Sequence, residues 1–145
     1  MRIGLSLIHL VDTVDERSTP RYLWRMKANE FVGHLFLARD VAHSVHLSTR
    51  SYATHKALQK FYEGLPELVD TFVEAYQGRY ELIGPVALQR ADKNDDIVEF
   101  LTDQVGMIES ARYDVCDESE TAIQNLIDEI VAHYYSTLYK LRFLS

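Results

Sequence analysis

The sequence predicts an all-α four-helix bundle preceded by a short N-terminal arm. Three observations carry this: four segments of about 20 residues repeat their apolar side chains every three or four positions, none alternates with the period of a strand, and no motif recurs at fixed spacing. A chain of 145 residues, 47% hydrophobic, is large enough to bury a core without disulfides or metals as staples. Residues 1–20 are read as the arm and its linker, and residues 21–145 as the bundle.

The arm holds one apolar run, residues 3–11, which contains Ser6 and His9. It is far shorter than the roughly 20 residues that span a bilayer, and no small-x-small cleavage site follows it before Asp12. Neither a membrane span nor a secretion signal is expected. Residues 12–20 are polar and end in Pro20, as a linker does.

Helix A, over residues 21–49, places Phe31, Leu35, Ala38, Ala42 and Val45 on one stripe. His34 falls within that stripe and is expected as a hydrogen-bonded core histidine. The polar residues 48–51 contain neither Gly nor Pro, which leaves open a tight turn or a continuous bend into helix B. Helix B, over residues 52–76, carries Leu58, Phe61, Leu65, Leu68, Phe72 and Tyr76, with Gln77-Gly78 as its stop. Pro66 removes a backbone donor in its middle, which predicts a kink near Glu63 or a full break.

A long connection punctuated by Gly84-Pro85 leads to helix C, residues 92–113, whose acidic first turn (Asp92, Asp95, Asp96) suits the positive end of a helix dipole. Its core stripe is Ile97, Phe100, Leu101, Val105 and Ile108. Helix D begins after Cys116, capped by Ser119 or Thr121, and continues to Arg142 through Ile123, Leu126, Ile127, Ile130, Tyr134 and Leu138. A short A–B join and a long B–C link favour one crossover over a simple up-and-down order.

The net charge of −7 comes with no Lys/Arg block and no basic tail, so the counterion release that drives nucleic-acid binding is largely missing. Direct nucleic-acid binding is not expected. A single cysteine, Cys116, makes no internal disulfide, which fits a reducing cytoplasm. No Gly-rich phosphate loop, nucleophile elbow or Cys/His zinc spacing occurs, which leaves hydrolases and nucleotide enzymes without support.

The candidate chemistry lies around helix B. His43 and His46 precede it, His55 opens it, and Asp70 and Glu74, four residues apart, share one face near its end. Imidazoles with carboxylates suit iron, zinc or manganese. A straight helix rises 1.5 Å per residue, which separates His55 from Asp70 by roughly 22 Å, too far for one ion. Two copies of helix B packed antiparallel about a two-fold axis would bring His55 of one chain to Asp70 and Glu74 of the other. Metal binding is therefore expected to need a homo-oligomer, a two-fold dimer or higher. Glu63 and Glu67 are read as surface carboxylates, and Glu129 with His133 does not form the Glu-x-x-His pair of di-iron bundles.

The segment His46-Leu-Ser-Thr-Arg-Ser-Tyr-Ala-Thr-His55, followed by Asp70-Thr-Phe-Val-Glu74, resembles the Dps family of ferritin-like mini-ferritins. That resemblance implies His46 or His43 as the first metal ligand, His55 as the second, and Asp70 and Glu74 as carboxylates from a two-fold partner. His43 has the family's spacing to His55, and His46, which is preferred, has the better local motif. Iron or a related divalent ion and a weak ferroxidase activity follow as implications. Gln59 stands where the family carries an acid, and Leu47 where it carries Trp, which implies one ion per site.

The stretches Leu37-Ala-Arg-Asp-Val-Ala-His-Ser-Val-His, Glu74-Ala-Tyr-Gln-Gly-Arg and Ile127-Asp-Glu-Ile-Val more closely resemble an uncharacterised ferritin-like family of tailed phages. That resemblance implies the host cytoplasm or the virion as location. It also supports an alternative, a non-enzymatic phage scaffold that serves as a virion component or binds a host protein.

Overall fold

The computed structural model describes residues 26–91 and 96–144, which contain four α-helices and no strand among the described residues: α1 (Ala28–Ser48), α2 (Tyr52–Arg79), α3 (Ile97–Val115) and α4 (Thr121–Phe143). The arm and linker expected over residues 1–20, the start of helix A at Arg21, and Asp92 and Asp95 lie outside the described residues.

Local chemistry sets the helix ends. Glu30 accepts the Lys27 N–H (3.1 Å) at the start of α1, Ser51 Oγ accepts the Thr54 N–H (3.2 Å) at the start of α2, and Asp96 accepts from Val98 and Glu99 at the start of α3. The cap expected from Ser119 or Thr121 does not form. The Ser119 hydroxyl donates instead to Asp117 (2.7 Å), and α4 starts after Glu120, whose carboxylate receives Arg79 through two nitrogens.

Of the two outcomes expected at Pro66, the full break does not occur, because α2 runs unbroken through it. A proline inside a helix costs about 3 kcal/mol, whereas each buried side chain of the size of Phe61, Leu65, Val69 or Phe72 contributes about 1.5–3 kcal/mol. All four are buried, so the packing of α2 outweighs the lost backbone bond.

The start of α1, the end of α2, the end of α3 and the residues just before α4 line one hollow at a single end of the bundle. Hence α1 and α4 run one way, and α2 and α3 the other. α1 packs on α2 and α3, α4 packs on the same two, and the pairs α1/α4 and α2/α3 lie on the diagonals. Two parallel helices on a diagonal require the connection 80–96 to travel the length of the bundle. Its described part lies against α1, where the Ala87 N–H donates to the Asn29 carbonyl and the Asn29 side chain to the Pro85 carbonyl, both at 3.2 Å. This is the predicted single crossover.

The four stripes close on one core in which Phe31, Phe61, Phe72 and Tyr134 are the largest fully buried side chains. The Tyr134 hydroxyl is buried with no hydrogen-bond partner among the described residues, and burial pushes its ionisation far above the usual phenol range. A buried unpaired polar group costs about 1–3 kcal/mol. Tyr134→Phe should therefore raise stability by about 1 kcal/mol in denaturant unfolding. A loss of stability instead would show that the hydroxyl has a partner.

Candidate functional site

The expected ligands divide between two places. His46 and His55 face each other across the turn 49–51, which is the tight alternative for the A–B join. The His46 carbonyl lies in the last turn of α1, where no further helical N–H reaches it. His55 Nδ1 donates to it at 3.1 Å, and His46 Nδ1 donates to the His55 carbonyl at 2.8 Å. A carbonyl only accepts, so both rings carry their hydrogen on Nδ1 and, when neutral, keep an in-plane lone pair on Nε2.

The two rings stack with centroids 3.7 Å apart and planes 23° apart. His46 is 7% exposed and makes the buried half of the pair. His43 lies one turn earlier on α1 and stacks on Tyr62 of α2 at 4.0 Å, while Tyr62 meets His46 edge-on. The histidines thus fasten α1 to α2 at the hairpin tip.

Asp70 and Glu74 are exposed on the far half of α2 and make no hydrogen bond or ion pair with other described residues. One chain does not bring them to His55. Among the described residues no group of three or more His, Cys, Asp and Glu is placed to hold an ion. Gln59 is occupied locally, accepting from Lys56 (2.8 Å) and donating to Glu63 (3.0 Å). Glu63 and Glu67 are exposed, as read from the sequence.

Two other histidines are structural. His133 Nε2 donates to the Phe61 carbonyl (2.9 Å) and its ring lies flat on Phe61, with burial holding its pKa below the ordinary imidazole value. Gly64 leaves the room it needs, since a Cβ there would come 2.9 Å from the imidazole. His34 is half-buried and its Nδ1 has no partner among the described residues, which corrects the expectation of a hydrogen-bonded core histidine. Burial lowers its pKa more than nearby Glu30 raises it. The Cys116 thiol is buried beside the Gln124 amide, and burial raises its pKa, which makes it a poor nucleophile.

The reciprocal bonding of His46 and His55 was not read from the sequence. Its signal is a pair of histidines flanking a three-residue polar turn, His46 two residues short of it and His55 three residues beyond it. Nor does the sequence mark the close approach of Gly33 to the crossover, where a Cβ would stand 1.9 Å from the Ala87 carbonyl oxygen.

Fold and site together define a one-crossover four-helix bundle with a histidine-fastened hairpin. The chain matches the model of a family of unknown function, DUF5856, over residues 46–141, and belongs to that family. It is also 34% identical over 119 residues to an uncharacterized 14.6 kDa protein from the mobD-ri intergenic region of Enterobacteria phage T4. That match covers 79% of this chain and 88% of the phage protein. No solved structure matches the chain. No helix among the described residues is long and apolar enough to cross a membrane.

Proposed function

We propose that the chain is a non-enzymatic bundle that works through contacts between protein surfaces, first of all with a second copy of itself. The observation that carries this reading is that large apolar side chains stay outside the core, among them Leu47 (74% exposed), Tyr52 (78%) and the α4 residues Tyr139 (54%) and Phe143 (73%). The likeness to a phage T4 protein supports a place in the host cytoplasm, and a virion protein or a host protein is proposed as the further partner.

A second reading, a divalent metal held between chains, is favoured by the Nε2 lone pairs of His46 and His55 and by the unpaired Asp70 and Glu74. Among the described residues, those of one chain form no group placed to hold an ion. Lone pairs lie in the ring planes, so rings stacked at 3.7 Å send them side by side rather than to a common point. His43, stacked on Tyr62, adds no third donor to that pair. Iron binding with weak ferroxidase activity would require a partner chain to supply both carboxylates and the His46/His55 stack to open.

Two measurements test these readings. Sedimentation of the purified chain should show a dimer or larger species, and a monomer at high concentration would overturn the assembly reading. Anaerobic calorimetric titration of ferrous iron or zinc should give equal heats for the wild type and the Asp70→Ala, Glu74→Ala double variant. A binding heat present only in the wild type would put the metal reading first.

A further inference from the structure

α4 keeps one face outside the bundle, and its pattern is self-complementary. A turn of 100° per residue sets Glu129, Ala132, Tyr135, Ser136, Tyr139 and Arg142 on this outer arc, and all six are exposed. The acidic residues Asp128 and Glu129 lie in the middle of α4, and the basic residues Lys140 and Arg142 in its last turn. The aromatic rings Tyr135 and Tyr139 stand toward the C-terminal end, with small Ala132 between the acids and the first ring and small Ser136 between the two rings.

We propose that two copies of the chain pair through α4, antiparallel about a two-fold axis that passes between Tyr135 and Ser136. This rests on the self-association reading above and names the face that carries it. In this register Arg142 lies level with the partner's Glu129, Tyr139 with the partner's Ala132, and Tyr135 with the partner's Ser136. Each ring meets a small side chain and each charge meets its opposite. A two-fold axis makes every contact twice.

The occupant follows from the face itself. A parallel pairing would set acid on acid and base on base, whereas the antiparallel one joins opposite charges and opposes the helix dipoles. A shift of one helical turn in either direction separates Arg142 from Glu129. Glu129 has no ion pair among the described residues. Arg142 spends one nitrogen on the Thr102 hydroxyl (2.8 Å) and has other N–H donors for a carboxylate. His55, Asp70 and Glu74 belong to α2 and are no part of this α4 face.

The test is a charge exchange read by sedimentation equilibrium. Glu129→Arg places arginine opposite arginine, and Arg142→Glu places acid opposite acid. Each variant alone should weaken the dimer about tenfold or more, and an equimolar mixture of the two should recover it, because both pairs are then again of opposite sign. Ala132→Arg, which fills the space of the partner's Tyr139, should also dissociate the dimer. All three positions are exposed, and unchanged unfolding midpoints would confirm that the fold is kept. Variants that dimerise as well as the wild type overturn the α4 face while self-association stands. A monomeric wild type overturns both.

Discussion

Truncating Phe61 to alanine should destabilise the protein by about 3–5 kcal/mol, read from the denaturant midpoint at constant slope. The ring has no exposed surface, stands edge-on to Tyr134 at 4.9 Å and carries the His133 imidazole flat against it at 5.2 Å. Its removal takes apolar surface from the centre of the α2/α4 contact and leaves a cavity that helices held at both ends do not close. The Phe61 carbonyl remains to receive His133, so the imidazole keeps its bond and loses only its packing. A loss below about 1 kcal/mol would mean that the bundle centre is not packed around this ring.

Gly33→Ala should also destabilise, against the direction that helix propensity alone predicts. In a free helix this change gains about 1 kcal/mol. Here a Cβ would lie 1.9 Å from the Ala87 carbonyl oxygen and 2.8 Å from its carbon, and both atoms belong to backbone that does not rotate away. The crossover must lift from α1, with loss of the Ala87–Asn29 and Asn29–Pro85 bonds. A net loss of about 2 kcal/mol is expected from this overpacking. A rise in the unfolding midpoint would remove the crossover from its place on α1.

Much of this was legible in the sequence because bundle helices declare themselves by period. Phe31, Leu35, Ala38 and Ala42 are all buried as their spacing requires, and so are the stripe residues Phe100, Leu101, Val105 and Ile108. What escaped was decided by partners distant in sequence. Pro66 leaves a kinked helix or a full break open, and the burial of Phe61, Leu65, Val69 and Phe72 excludes only the break. Ser119 has the chemistry of a cap, and Asp117 takes its hydroxyl first. His34 sits in an apolar stripe, yet the residues around it offer nothing to Nδ1.

The candidate site was legible only in part. Residue type and spacing single out His43, His46 and His55, and the structure gathers all three at the hairpin tip. Spacing does not tell which ring nitrogen is in use. The Nδ1 atoms of His46 and His55 go to backbone carbonyls, a choice set by the geometry of the turn.

The two joints of the bundle also differ in what they ask of the unfolded chain. Residues 49–51 close α1 on α2, whereas residues 80–96 must bring α3 back to its starting level. Loop-closure entropy grows with the logarithm of length, and the ratio of these spans corresponds to about 1.5 kcal/mol more for the longer one. α3 docks under that larger entropic charge. The backbone of residues 85–87, seated on Asn29 and Gly33, shortens the part of the chain left free to wander, and so lowers what α3 must overcome to reach its place.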